Sequence, residues 1–192
     1  MANIFRESLK GIELIPIEDE LLNRREIFLV DGVDSHSSND LIKKLMYLEH
    51  IDDSEEITLY INSPGGEVIS GLAVYDYISI MKAPLKTVCI GDAASMGAIL
   101  FLAGKKREML PHTRIMIHDP SYGHFDMSHK KPHEIQHEVD SLNKVRAKLA
   151  EIIAGKTGKS LDEIYETTAN DTYFDADEAI SFGLATGVYK GE

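Results

Sequence analysis

Short apolar runs alternate with helix-periodic stretches through the first half of this 192-residue chain. The runs lie at residues 27–30, 57–61 and 86–90, and the last of them is expected to end at Gly91. Between the first two runs, leucines recur at three- and four-residue steps, which is the spacing of one helix face. Because the connections are short, the pattern predicts an α/β fold with a mostly parallel sheet. A hydrophobic content of 43% is enough for a sizeable core, so residues 1–192 are predicted to form one domain.

The two ends of this pattern are less regular. Residues 1–20 carry scattered apolar positions and are predicted to form a loosely specified N-terminal arm, with a short helix over residues 18–26. Residues 119–131 show no clear periodicity. Pro132 then opens the longest predicted helix, and Gly155 is placed just after its end.

Charge and cysteine content argue against several classes of function. The chain has 32 acidic and 20 basic residues, a net charge of −12, and no basic stripe that would suit a nucleic acid. Its one cysteine, Cys89, lies in an apolar run and is expected to be a buried core thiol, which agrees with a reducing, cytoplasmic setting. No signal peptide is predicted at the N-terminus, and no run approaches the ~20 apolar residues that a membrane span needs.

Ser95 lies where a predicted strand meets a predicted helix. Small residues surround it in the stretch GDAASMGA, residues 91–98, and an apolar helical run follows. A serine at such a turn can hold its hydroxyl beside the free N–H groups of a helix N-terminus, which suits a nucleophile whose product is an oxyanion. The stretch matches a G-x-S-x-G nucleophile elbow only in part, since Ala93 replaces the first glycine. The alternative is that Ser95 is an ordinary helix N-cap.

Two other strand ends are predicted to lie on the same rim of the sheet as Ser95. The turn Ser63-Pro-Gly-Gly66 follows one strand, and its glycines would let a backbone N–H approach a ligand closely. His118 follows a later strand and could act as the base for Ser95. A carboxylate should orient this imidazole, and residue spacing leaves the choice open. The candidates are Asp119, Asp126, Asp140, Asp162, Asp171, Asp175 and Asp177, of which Asp171 is expected to be partly buried.

Two further motifs are weaker. Residues 155–160 end like a phosphate-binding loop, but Ile153 stands where the first glycine should be, and the stretch follows a helix; it is predicted to be a helix–helix turn. His129, His133 and His137 recur every four residues without an evident further ligand, so they are predicted to be a solvated face and not a zinc site.

Several of these motifs together resemble the ClpP family, the proteolytic subunits of ATP-dependent Clp proteases. The resemblance covers residues 21–188, and its motifs occur in the family's order and spacing. They are INSPGG at 61–66, GDAASMGA at 91–98, LPHTRIMIH at 110–118, KTGKSLDEI at 156–164 and the region around Asp171.

The resemblance implies a role for each matching residue. Ser95 matches the family's nucleophile, His118 its general base and Asp171 its orienting acid, while the backbone N–H groups of Gly66 and Met96 match its oxyanion hole. No metal or organic cofactor is implied. The implied activity is that of a serine endopeptidase that forms an acyl-enzyme.

The resemblance also implies an architecture and partners. The family fold is an α/β spiral of β-β-α units, shared in outline with crotonases, with a protruding handle that corresponds to residues 119–154. Seven subunits form a ring, two rings stack face to face, and an ATPase of the Clp family delivers unfolded polypeptides to the chamber.

The chain departs from the family pattern outside the predicted active site. Asp119 replaces the usual glutamine after the catalytic histidine, and Asn170 replaces an arginine used in ring–ring contacts. Residues 121–133 are poorer in glycine than the family's pairing strand, and residues 1–20 are not recognisable. These departures favour a divergent paralogue. No role is assigned to the histidine-rich segment 124–137.

Two rival functions remain from the sequence. One is a regulatory or poorly active ring subunit that works in a mixed complex with another ClpP, which the altered handle and N-terminus favour. The other is a crotonase-type acyl-CoA enzyme, which would not need Ser95, His118 and Asp171 together.

Overall fold

A computed structural model describes residues 2–8, 11–123 and 128–191 of the chain. The elements follow in the order β1 (Asn3–Ser8), β2 (Gly11–Pro16), α1 (Ile17–Asn23), β3 (Glu26–Val30), α2 (Ser35–Ile51), β4 (Ile57–Ser63), α3 (Val68–Ile80), β5 (Leu85–Ala94), α4 (Met96–Leu102), β6 (Lys106–Met109), β7 (Arg114–Ile117), α5 (Pro132–Thr157), α6 (Leu161–Thr168), β8 (Thr172–Phe174), α7 (Ala176–Phe182) and β9 (Gly187–Val188).

A seven-stranded sheet organises these elements, and all but one of its strand pairs are parallel. The strand order is β3-β4-β5-β6-β9, with β7 and β8 branching from β5. Strand β5 has ten residues, long enough to pair first with β6 and then, over its last three residues, with β7. The predicted α/β class with a mostly parallel sheet is confirmed. The branch at β5 sets the end of β7 beside the end of β5, which brings His118 towards Ser95.

One contiguous hydrophobic core is built around helix α4. All seven residues of α4 are buried, and the helix packs against β5, α3 and α5. Helix α5 contributes only its second half to the core, through Leu149, Ala150 and Ile153. Its first half lies largely in solvent, as a protruding handle helix would. Among the described residues, none of the helices is both long and apolar enough to span a membrane.

Three predicted boundaries are wrong. Strand β5 does not stop at Gly91 but runs on to Ala94, because its last residues pair with β7 and the side chain of Asn62 accepts a hydrogen bond from Asp92 N at 3.0 Å. Helix α5 runs through Gly155 and ends at Thr157, where Gly158 takes the left-handed conformation with φ of 74°. Helix α1 begins one residue early and ends at Asn23, and Glu26 already belongs to β3.

The N-terminal arm is also more regular than predicted. Strands β1 and β2 form an antiparallel hairpin, with Asn3 opposite Pro16 and Ser8 opposite Gly11. Phe5, Ile12 and Leu14 are exposed, and no hairpin side chain that the structure describes belongs to the core. Their alternation with polar residues is short and irregular in sequence, so the strand period is weak.

Candidate active site

Ser95 occupies a strained turn between β5 and α4. Its φ and ψ are 54° and −120°, outside the regions that most L-residues adopt, and such strain typically costs ~1–3 kcal/mol. Backbone hydrogen bonds hold the turn, since Ser95 N donates to Met116 O at 2.9 Å and Ser95 O accepts from Ala98 N at 3.0 Å. The Ser95 hydroxyl makes no capping bond to α4. The N-cap alternative therefore fails for the side chain, which is turned away from the helix end.

The glycine-rich loop after β4 packs directly on this turn. A Cβ at Gly65 would lie 2.6 Å from Ala94 O and 2.8 Å from Met96 N, so only glycine fits there. A Cβ at Gly66 would collide with Val33 O. Gly65 and Gly66 also have φ of 88° and 154°, values that favour glycine. The close approach sets Gly65, which directly precedes Gly66, against the backbone of Ala94 and Met96 on either side of Ser95.

The backbone N–H groups of Gly66 and Met96 are the candidate oxyanion donors. In the described part of the chain, neither donates a hydrogen bond to a protein acceptor. The backbone groups on either side of Gly66 are hydrogen-bonded to Val33: Val33 N donates to Gly65 O at 2.9 Å, and Glu67 N donates to Val33 O at 2.7 Å. Met96 is the first residue of α4, where backbone N–H groups have no partner within the helix. Two such donors beside a hydroxyl can bind an oxyanion.

The imidazole of His118, directly after β7, bridges Ser95 and Asp171. Its Nε2 lies 2.8 Å from Ser95 Oγ, and its Nδ1 lies 3.0 Å from Asp171 Oδ1. A carboxylate can only accept, so the Nδ1–H donates to Asp171, and Nε2 is then free to accept the proton of the serine hydroxyl. The hydroxyl, imidazole and carboxylate therefore form one chain in the order needed for general-base activation of a serine.

The other candidate carboxylates face elsewhere, apart from Asp126, which lies outside the described residues. Asp119 contacts Thr168 and Arg146 and not the imidazole beside it. Asp175 caps α7 by accepting from Glu178 N at 2.9 Å. The expectation that Asp171 is partly buried is wrong, because its side chain is 60% exposed on the loop between α6 and β8. The burial argument from its aromatic neighbours failed because Tyr173 itself points outward.

A small apolar pocket adjoins the serine. Besides Ser95, Met96 and His118, its walls are the aliphatic side chains of Val68, Ile99, Ile117, Leu149 and Ile153. The last two belong to α5, far along the chain from Ser95. Sequence reasoning missed all five wall residues, because their spacing is that of ordinary core positions on helices and a strand.

The remaining motifs take no part in this site. Burial raises the pKa of the Cys89 thiol, which makes it a poor rival nucleophile. The predicted helix–helix turn at residues 155–160 is shorter than expected, because α5 continues to Thr157 and only residues 158–160 connect it to α6. His129, His133 and His137 are not part of any group of three potential metal ligands within residues 2–8, 11–123 and 128–191.

Comparison with protein families agrees with the motif order and the sheet topology. The family model of Clp protease matches residues 10–192, which leaves only the first nine residues of the chain outside the match. The match includes the β5–α4 turn, the end of β7 and the loop after α6, where Ser95, His118 and Asp171 lie. The chain therefore belongs to the Clp protease family, the ClpP-type serine peptidases.

Proposed function

We propose that this chain is the proteolytic subunit of a Clp-type compartmentalised protease, a serine endopeptidase with a Ser95–His118–Asp171 triad. The observation that carries the proposal is the pair of hydrogen bonds from one imidazole, 2.8 Å to Ser95 Oγ and 3.0 Å to Asp171 Oδ1. The strained backbone at Ser95 supports it further, because strain of this kind gathers at functional sites.

The reaction proceeds in two halves. His118 Nε2 takes the hydroxyl proton as Ser95 Oγ attacks the peptide carbonyl, and the imidazolium then protonates the leaving amine. Water, deprotonated by the same imidazole, hydrolyses the acyl-enzyme and releases the second product. Asp171 holds the imidazole in the tautomer that leaves Nε2 free and stabilises the imidazolium that forms.

The N–H groups of Gly66 and Met96 are proposed as the oxyanion hole. They stabilise the negative oxygen of each tetrahedral intermediate, and loss of one such donor typically costs ~10²–10³ in kcat. The close packing of Gly65 on the Ser95 turn would keep both donors in place before substrate arrives. Preorganised donors of this kind need no rearrangement during the reaction.

The apolar pocket beside Ser95 predicts the substrate preference. Two fluorogenic peptides that differ only at the residue on the acyl side of the scissile bond, leucine in one and glutamate in the other, should be cleaved with very different kcat/KM. Apart from Ser95 and His118 the walls are apolar and include no lysine or arginine, so a glutamate carboxylate placed against them is expected to lower kcat/KM by about 10- to 100-fold. Equal cleavage of the two peptides would place the substrate side chain elsewhere.

A crotonase-type acyl-CoA enzyme is the less favoured alternative. Such an enzyme also relies on two backbone N–H groups, but it has no need for an imidazole hydrogen-bonded to both a serine and a carboxylate. Hydrolysis of an unactivated peptide amide, which requires an activated serine, distinguishes the two functions.

Assembly and partners are proposed from the family. Seven subunits form a ring, with stacking into a double ring, and a Clp-family ATPase delivers unfolded polypeptides in the cytoplasm. Apolar side chains left exposed on the single chain support contacts with neighbouring subunits. They are Phe28 and Val30 on β3, Met46, Tyr47 and Ile51 on α2, and Ile69 and Ile80 near the ends of α3.

The replaced positions favour a divergent paralogue whose rings pair weakly. Asn170 lies in solvent next to Asp171 and offers a neutral, shorter side chain where the family has arginine, so a charge-assisted bond is at best replaced by one about half as strong. A net charge of −12 per chain adds repulsion between rings, which salt screens over ~8 Å at physiological strength. A regulatory role in a mixed complex with another ClpP follows from the same weakness.

At low salt the isolated protein is expected to sediment mainly as single rings with low peptidase activity. High salt, or a second ClpP ring, should raise both the double-ring fraction and the activity. Asn170→Arg should raise the double-ring fraction at low salt, and Asn23→Arg, at the exposed end of α1, adds the same charge elsewhere as a control. Sedimentation velocity and peptidase assays on the same samples test this. A stable, fully active double ring of the unmodified protein at low salt would contradict it.

A further inference from the structure

Asp119 directly follows His118 in the chain, and Thr168 forms hydrogen bonds with both its backbone and its side chain. Asp119 N donates to Thr168 O at 2.7 Å, and Thr168 Oγ1 donates to Asp119 Oδ1 at 2.7 Å. Thr168 is buried, with 3% of its surface exposed. Two short bonds between the same two residues fix the orientation of the chain that follows His118.

The second carboxylate oxygen of Asp119 faces helix α5. Arg146 Nε lies 2.7 Å from Asp119 Oδ2, and the guanidinium group stacks on the ring of Tyr165 at 4.5 Å. Within the described residues, Arg146 Nε makes no hydrogen bond of good geometry, so the contact is an attraction between charges. Both side chains are only about one-third exposed, at 34% and 30%, which limits screening by solvent.

The same contacts reach the loop that carries Asp171. Thr168 is the last residue of α6 and lies three residues before Asp171. Directly after Asp171, Thr172 Oγ1 donates a hydrogen bond back to Thr167 O at 2.6 Å. The Asp171 carboxylate is 60% exposed, and among the described residues its one side-chain partner is His118. Its position therefore depends on how the backbone on either side of it is anchored.

We propose that Asp119 is a positioning residue for the triad, and that Arg146 and Thr168 are its partners. Asp119 joins three elements: the end of β7, which carries His118; the end of α6, which leads to Asp171; and α5, which carries Arg146. The proposal rests on the proposed function, since it assigns a role in aligning His118 with Asp171. A misplacement of about 1 Å can cost ~10²-fold in rate, so a contact that holds both residues acts on kcat without touching substrate.

The experiment compares four variants and one control variant with the unmodified protein on one fluorogenic peptide, under conditions where rings are assembled. Asp119→Asn and Arg146→Gln each remove one charge of the pair, the double variant removes both, and Arg146→Lys keeps the charge. Asp53→Asn is the matched control, because Asp53 forms an exposed ion pair with Lys82 at 3.1 Å, away from the triad. Sedimentation velocity and the melting temperature Tm are measured for each.

Asp119→Asn and Arg146→Gln are expected to lower kcat ~10- to 100-fold with KM within about twofold, because the apolar pocket is untouched. The double variant should fall within about threefold of the worse single variant, since both changes remove one contact. Arg146→Lys should keep a higher kcat than Arg146→Gln, because it retains the charge that faces Asp119, although it loses the guanidinium that stacks on Tyr165. Asp53→Asn should leave kcat unchanged.

Unchanged kcat in Asp119→Asn would overturn the proposal, as would a loss that follows the loss of assembled rings or a lowered Tm. An Arg146→Lys variant no more active than Arg146→Gln would also overturn it. These outcomes presuppose an unmodified protein that cleaves the peptide and loses this activity in Ser95→Ala. If the unmodified protein is inactive, the proposed function itself has failed, and the two failures are distinguishable.

Discussion

Replacement of Ser95 by alanine is expected to lower kcat for peptide cleavage by ~10⁵–10⁶-fold while leaving the protein folded and assembled. The change removes only the hydroxyl, which is the attacking group, and loss of a triad nucleophile has effects of this order. Alanine has the same Cβ as serine, so the strained φ of 54° costs both residues about the same. Steady-state assays at high enzyme concentration, with Tm and sedimentation measured alongside, give the comparison.

Ser79→Ala is the matched control for this variant. Ser79 lies near the end of α3, where its hydroxyl donates to Asp76 O at 2.7 Å in an exposed position. Its loss removes one serine hydroxyl without touching the triad, so activity should stay within about twofold. Substantial peptidase activity in Ser95→Ala, at unchanged Tm, would show that Ser95 is not the nucleophile.

Replacement of Asp171 by asparagine is expected to lower kcat by ~10³–10⁴-fold with little change in KM. The asparagine amide can donate to His118 Nδ1, which favours the tautomer with its proton on Nε2. That tautomer cannot accept the proton of Ser95 Oγ, which lies 2.8 Å from Nε2. Because the Asp171 side chain is largely exposed, its replacement should hardly change the free energy of unfolding, and Tm should stay nearly the same.

Asp175→Asn is the control for this change. Asp175 caps α7, and asparagine caps a helix about as well as aspartate, so both stability and kcat should be retained. If Asp175→Asn or Asp119→Asn abolished activity while Asp171→Asn did not, the orienting acid would have been assigned to the wrong residue.

The fold class was predictable because strand-length apolar runs and helix-periodic stretches alternate with short connections. This local pattern can be read directly from the sequence, and the parallel pairing of β3, β4 and β5 follows from it. Ser95 and His118 could be singled out for the same reason, since each follows an apolar run. Asp171 could not be chosen by spacing, because a short loop can present any of several carboxylates to one imidazole. Only the family resemblance selected it.

The features that could not be predicted from the sequence depend on contacts between segments that are far apart in the chain. The continuation of β5 past Gly91 requires β7 as a partner, and no sequence pattern in residues 91–94 predicts that pairing. The packing of Gly65 on the Ser95 turn joins two loops about thirty residues apart. The pocket walls from α5 and the ion pair of Asp119 with Arg146 arise only when α5 lies against α4 and α6. Such sites are made by tertiary structure and leave no periodic signal.

Covalent labelling of the assembled protein with a fluorophosphonate tests the central claim most directly. The reagent reacts with a serine hydroxyl that an imidazole has activated and that lies beside an oxyanion hole. Intact-mass analysis and peptide mapping should show one adduct per chain, on Ser95, that appears at high salt and is absent from Ser95→Ala and strongly slowed in Asp171→Asn. An assembled protein that stays unlabelled, or that carries the adduct on another serine, would contradict the assignment of Ser95, His118 and Asp171 as a catalytic triad.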